Sequence, residues 1–246
     1  LDYEATMRKA SENDGFFARG FSGVSSNLIN GFAQPQGFGS QSVANVERIE
    51  IIKGPAAVLY GQGGYGGTVN RVTKRPRAQP ATTARAVYGS QDSVRLAFDN
   101  TGPVPLFGGK KLLYRLNVEW DDSTTYRGTV SQRVSIAPSL TWNLTDRTQA
   151  VFEYSRDRHV RPGGWAYPMT AGDPAGIVTG DGVYRPYGDR DVTHTEADDI
   201  RQNVRQVAAV DVRHVFNDRW QYRSQFQYSD RDQHQVRTRC WIKCWC

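Results

Sequence analysis

The stretch "VLYGQGGYGGTVN", residues 58–70, sets Gly61, Gly63 and Gly66 in the spacing G-x-G-x-x-G directly after an apolar run. That spacing cradles a dinucleotide pyrophosphate when the third glycine opens a helix and an acidic residue about 20 positions on reaches the ribose. Here the glycines are followed by Thr68, Val69, Val72 and Thr73, β-branched residues suited to a strand, and the region near residue 86 reads "AVYGS" without a carboxylate. No Lys-Ser or Lys-Thr pair stands at P-loop spacing either. The glycines therefore read as a turn between two strands, with no nucleotide role. The four histidines, His159, His194, His214 and His234, have no nucleophile motif beside them, so the chain does not read as an enzyme. His159 and His194 with Asp189, Asp191, Asp198 and Asp199 lack a recognisable ligand spacing, and no metal site is expected there. Cys240, Cys244 and Cys246 stand together in "CWIKCWC", short of a fourth zinc ligand and with one thiol left over from any single disulfide. Residues 240–246 thus read as an aberrant tail without a site.

The elements that would position any site differ between the two parts of the chain. The 246 residues carry 31 Lys and Arg against 25 Asp and Glu, and the cations are spread rather than gathered, which argues against a nucleic-acid partner. No run of roughly 18 apolar residues occurs, which excludes a transmembrane helix and leaves a membrane β-barrel open. From about residue 83 the pattern has period two. In "LLYRLNVEWD", Leu112, Tyr114, Leu116, Val118 and Trp120 share one face and Arg115, Asn117 and Glu119 the other. "RVSIAPSLTWNL" and "WQYRSQFQYS" repeat the pattern, and weaker versions lie near 83–89, 93–100, 148–156 and 204–216. That is about seven strands, several near the roughly 9–11 residues that a tilted strand needs to cross a bilayer.

Short turns are expected at "NLTDR" (143–147) and "FNDR" (216–219), and longer loops at about 121–132 and about 157–202. Short turns at one end and long loops at the other suit an outer-membrane barrel, as do Trp120, Trp142, Trp220 and Tyr228 near strand ends. A soluble antiparallel sandwich alternates in the same way, so periodicity alone leaves both folds open. The first 80 residues are Gly-rich and mixed: "NVERIEIIKG" reads as a strand, "PAAVLY" as a turn or short helix, and "GTVNRVTKRP" as a strand ended by Pro76.

The segments "FFARGFSG", "LINGFAQPQGF" and "VERIEIIKGPAAVLYGQGGYGGTVNRVTKRP", with the strands that follow, resemble TonB-dependent outer-membrane receptors, nearest to the ferrichrome-type siderophore receptors. Gly66 to Lys74 match the family's G-G-x-[ILV]-N-x-[VI]-[ST]-[KR] pattern, with Arg71 departing from its usual apolar residue. The resemblance implies an α+β plug domain over residues 1–80, then the first strands of an antiparallel transmembrane β-barrel over 81–239. The family's barrel has about 22 strands around a plugged lumen. It further implies TonB-dependent uptake of a ferric siderophore at the cell outer membrane, with iron only as the chelate and no other cofactor. The alternatives are a receptor for another bulky nutrient, such as cobalamin or a glycan, or a soluble β-rich binding module. The coupling box that meets the TonB energy-coupling protein, a signal peptide and the terminal aromatic strand are not in this sequence, so the chain is expected to be a truncated receptor.

Carried onto this sequence, the resemblance puts Arg19, Gln36 and Trp165 at ligand-contacting positions. Glu47, Arg48, Lys53 and Arg75 fall at charged positions between plug and barrel wall. Ala44 stands where ferrichrome-type receptors often place a ligand-facing tyrosine, which leaves the siderophore's identity open.

Overall fold

A computed structural model describes residues 17–18, 21–22, 27–34, 42–53, 67–90, 92–105, 111–124, 130–162 and 200–235. Two short strands, β1 (Phe17–Ala18) and β2 (Phe21–Ser22), pair with each other. Four more, β3 (Asn27–Ile29), β4 (Phe32–Ala33), β5 (Val46–Lys53) and β6 (Gly67–Thr73), form a sheet in the order β4-β3-β6-β5. The remaining seven are β7 (Ala81–Gly89), β8 (Ser93–Pro103), β9 (Leu112–Thr124), β10 (Val130–Thr145), β11 (Thr148–Pro162), β12 (Ile200–Val215) and β13 (Gln221–Gln235). Each pairs antiparallel with its sequence neighbour, giving one sheet in the order β13 to β7.

The small sheet is pinned by a two-residue turn. Asn30 and Gly31, with φ of 50° and 88°, join β3 to β4. Successive positive φ values match the twist of a hairpin, and Asn-Gly adopts them at little cost. β3 then runs parallel to β6, and β5 closes the other side antiparallel. Arg71 keeps its place in this ladder between Ile29 and Ile49, and its carbonyl accepts from the Asn30 amide at 3.0 Å.

Burial separates the two folds that periodicity left open. In a soluble sandwich the apolar face would be covered; here it faces out. Leu140 and Trp142 are 42% and 48% exposed, whereas Ser139 and Thr141 between them are 7% and 3% exposed. On β9 the buried face carries Leu113, Arg115, Asn117 and Glu119, and Trp120 stands on the exposed face. The polar faces of these strands turn toward the small sheet, and Phe98, Ile136, Phe152, Phe226 and Tyr228 turn away from it. An outward apolar band around a polar interior is the arrangement of a membrane barrel wall.

The strands run further than the sequence indicated at one end. Asp121, Asp122, Ser123 and Thr124 continue β9 in register with Arg133, Gln132, Ser131 and Val130. The expected loop at 121–132 therefore shrinks to 125–129, and pairing through Pro162 and from Ile200 narrows the longest connection to 163–199. The β7–β8 connection at this end is also short, residues 90–92. Polar residues in strand positions explain the difference, because these ends continue the ladder past the apolar band. On β13 the outward face changes from Phe226 and Tyr228 to Asp230 and Asp232 while pairing continues to Gln235. At the opposite end the tight turns stand where the sequence placed them. Asn217 Oδ1 accepts from the amides of Arg219 (3.0 Å) and Trp220 (2.9 Å), a side-chain-closed turn. The stretches 54–60 and 61–66, read as a turn or short helix and a glycine turn, lie outside the described residues.

Leu140→Arg puts a charge into the outward band. It is expected to lower the unfolding free energy of the intact protein in a lipid bilayer by about 2–4 kcal/mol, read by urea titration.

Candidate functional site

The site is the polar contact between the small sheet and the wall. Strand alternation on β8, β9, β11 and β12 sends Asp99, Glu119, Asp121, Glu153, Asp157 and Asp211 to the inner face. Asp121 is held by Arg95 of the neighbouring strand at 2.5 Å. The other five each accept from a donor on the small sheet or its flanking segments. Lys74 Nζ donates to Asp99 at 2.9 Å, and Ser42 Oγ donates to Glu119 at 3.1 Å. Asn30 Nδ2 and Thr73 Oγ1 both donate to Glu153 Oε2 at 2.9 Å. The Ser42 amide donates to Asp157 at 3.3 Å, and Arg75 Nη2 to Asp211 at 2.6 Å.

Local structure explains why those donors point at the wall. The positive-φ turn presents the Asn30 amide to Thr73 and Glu153 together. Beyond β6 the chain leaves the sheet as Lys74-Arg75-Pro76-Arg77 and lies along the wall, where the Arg77 amide donates to Thr101 Oγ1 at 2.9 Å. Arg115 is the hub on the wall side. Its guanidinium grips Asp99 in a fork at 2.9 and 2.7 Å and donates to the Arg75 carbonyl at 3.0 Å. Asp211 is shared in the same way, taking Arg75 from the small sheet's exit and a forked contact from Arg223 of β13 at 3.1 and 2.9 Å.

Of the charged residues that the resemblance placed between plug and wall, Arg75 lies against Asp211 of β12. Glu47 is 3.8 Å from wall residue Arg115 and 2.6 Å from Arg77. Arg48 instead pairs with Glu50 on its own strand at 2.8 Å, with both side chains solvated. The hydrogen bonds from Asn70 and then Arg48 hold the Glu50 carboxyl below its ordinary pKa. Lys53 ends β5, and nothing is described of its side chain. Arg19, Gln36 and Trp165 lie outside the described residues.

Asn30, Ser42, Thr73 and Lys74, with their wall partners, were not singled out from the sequence. A usable signal existed for one of them, the Asn-Gly pair at a hairpin turn; the others depend on which strand faces which.

A cavity of about 70 Å³ between sheet and wall is lined by Asn30, Ser42, Thr73, Glu153, Asp157 and Arg205, among others. Ile29, Val46, Ala137 and Val207 line it too, so the space is mixed in character, and its polar side offers partners to bridging waters. A wider groove of about 780 Å³ opens beside Glu47, Glu50, Asn70, Arg213 and Arg223. The contact thus combines hydrogen-bonded polar groups with small apolar patches such as Ala137 and Val207, so separating the two surfaces largely exchanges hydrogen bonds with water.

His159 shows why no nucleophile is assembled here. Its Nδ1 lies 3.2 Å from Arg133 Nη2 and its Nε2 3.2 Å from Ser131 Oγ. A guanidinium only donates, so Nδ1 accepts and Nε2–H donates to the serine, the reverse of general-base activation. Among the described residues no cluster of three or more His, Cys, Asp or Glu is placed to hold a metal.

Comparison with known proteins agrees with this architecture. Residues 4–68 match the family model of the TonB-dependent receptor plug domain. The metal-pseudopaline receptor CntO of Pseudomonas aeruginosa is 35% identical over 188 residues, covering 75% of this chain and 25% of that protein. The ferrioxamine receptor of Yersinia enterocolitica is 27% identical over 228 residues, covering 89% of this chain and 30% of that one. The chain therefore spans about a quarter to a third of the length of these relatives. In fold, the open form of the ferric-catecholate import receptor Fiu from Escherichia coli superposes with a TM-score of 0.78 at 22% identity, over 89% of this chain and 34% of that one.

Two experiments test this contact in the intact protein. Asp99→Ala leaves the buried Arg115 guanidinium without its carboxylate and is expected to lower stability by about 3–5 kcal/mol, much of it recovered in Asp99→Ala/Arg115→Met. A double-mutant cycle on the half-exposed Arg75–Asp211 pair is expected to show a coupling of only about 1 kcal/mol. Both are read by chemical unfolding.

Proposed function

The chain belongs to the TonB-dependent receptors, and from that premise we propose that the intact protein takes up a ferric siderophore across the cell outer membrane. The observation that carries this reading is the latch: five wall carboxylates facing polar donors of the plug across a hydratable seam. Such contacts are individually weak in water, so a plug held by many of them stays seated at rest and shifts under a directed pull. The relatives named as siderophore or metal-chelate receptors support the same reading.

In this proposal residues 1–80 are the plug, 81–239 the first part of the barrel, and 240–246 a tail without a role. Iron enters as cargo inside its chelate, and the protein carries no resident cofactor. Arg19, Gln36 and Trp165 contact the ligand, and the TonB energy-coupling protein supplies the pull. Glu47, Lys53 and Arg75 serve the plug–wall seam together with Lys74 and Asn30, whereas Arg48 stiffens β5 through Glu50.

The test is energy-dependent uptake of radiolabelled iron chelates by iron-starved cells expressing the intact protein. Cys240, Cys244 and Cys246 are first replaced by serine, and the pair Thr73→Cys and Glu153→Cys is bridged by a short bifunctional thiol reagent. Bridging is expected to abolish uptake while chelate binding persists, and reducing a cleavable bridge is expected to restore it. Uptake undiminished by the bridge would sink the moving-plug reading. Binding of cobalamin or a glycan, with no binding of any ferric chelate, would reassign the nutrient.

A further inference from the structure

We infer that the hydrogen-bond triangle of Asn30, Thr73 and Glu153 is a gate across a water path running down the plug–wall seam, closed at rest and, when open, passing water and small ions but not the chelate. The inference rests on a plug seated against the wall, whichever nutrient the intact protein carries.

The path is traced by the spaces along β12 and β13. The cavity of about 70 Å³ touches Arg205, Val207 and Ala209 of β12 and Gln227 of β13. A gap of only about 10 Å³ comes next, against Ala209, Asp211, Gln225 and Gln227. The groove of about 780 Å³ follows at Arg213, Arg223 and Gln225, toward the tight turn that joins the two strands. Each space shares wall residues with the one before it, so the file descends a single inner face from the outer part of the wall to the turn end. A space of about 10 Å³ holds roughly one water. It is the neck of the file, too narrow for a sugar or a chelate.

Asn30 alone borders all three of these spaces. Its φ of 50° and the bond from its amide to the Arg71 carbonyl at 3.0 Å fix the turn so that its side chain reaches the wall at the neck. There Asn30 Nδ2 donates to Thr73 Oγ1 at 2.8 Å and to Glu153 Oε2 at 2.9 Å. Thr73 gives its one hydroxyl proton to the same carboxylate oxygen at 2.9 Å, and its amide donates to Asn30 Oδ1 at 3.0 Å. Three side chains able to hydrate a passage are thus turned on one another and close it. Phe32 and Arg75 flank the neck, with Arg75 held on Asp211.

A neck closed by hydrogen bonds exchanges them for water at little net cost, which a neck closed by apolar packing does not. Two sides of the triangle, Asn30 to Glu153 and Thr73 to Glu153, cross the seam. A shift of the small sheet along β11 therefore parts both at once and joins the cavity to the groove.

The experiment measures potassium chloride conductance of the intact protein in planar lipid bilayers, with arabinose entry into proteoliposomes as a size marker. Asn30→Gly keeps a residue that accepts positive φ and removes the amide, Thr73→Val removes the hydroxyl while keeping the shape, and Glu153→Gln keeps an oxygen that accepts from both donors. Asp99→Ala/Arg115→Met alters the seam at a node that borders none of the three spaces. The wild type, Glu153→Gln and Asp99→Ala/Arg115→Met are expected to stay closed. Asn30→Gly and Thr73→Val are each expected to raise the conductance by about tenfold, without arabinose entry and with heat-modifiable gel mobility unchanged. Unchanged conductance in both variants would overturn the inference. So would an equal rise in Asp99→Ala/Arg115→Met, the result if the triangle only helps to fasten the plug. Arabinose entering as readily as the ions would also overturn it, because the leak would then run through an unseated lumen.

Discussion

Carboxylates on the inner wall meeting polar donors of the plug constrain the rest of this molecule. Asp99, Glu119, Glu153, Asp157 and Asp211 come from four different strands, and each is answered from the plug or its flanking segments. For that to happen, every one of those strands must present its polar face inward. In a period-two element the apolar side chains are then committed to the other face. The outward band of Phe98, Trp120, Phe152 and Tyr154 is thus the necessary counterpart of the polar seam. An outward apolar band is tolerable in lipid, where backbone groups satisfied between strands carry no further penalty.

The seam also sets how the parts can move relative to each other. Arg115 and Asp99 form its most densely hydrogen-bonded node, gripping both Lys74 and the Arg75 carbonyl where the chain leaves the plug sheet. Along the flank, Glu153 takes Asn30 and Thr73 beside a cavity of mixed lining.

Much of this was legible in the residues. The seven alternating strands, the tight turns at 143–147 and 216–219, and the strand after the glycines follow from local chemistry that acts over a few residues. The strand ends at 121–124 and 131–132 escaped because they are polar on both faces and continue pairing only by virtue of their neighbours. Arg75 could be picked out as a charged residue, but its partner Asp211 lies far along the chain, and no periodicity links the two. Arg48 looked equivalent to Arg75 in sequence; it differs because β5 turns it toward Glu50.

The sequence by itself determined which residues share a face, where strands begin and reverse, and to which family the glycine-rich plug segment belongs. These depend on side-chain period, turn chemistry and a long specific motif, all local in the chain. Only the tertiary structure decided which face looks inward, which donor meets which carboxylate, and which charged residues stand opposite one another across the sheet. The physical reason is that a period-two strand is symmetric until something is packed against it. The plug, through its polar donors, breaks that symmetry, and strand register then brings side chains distant in sequence into contact.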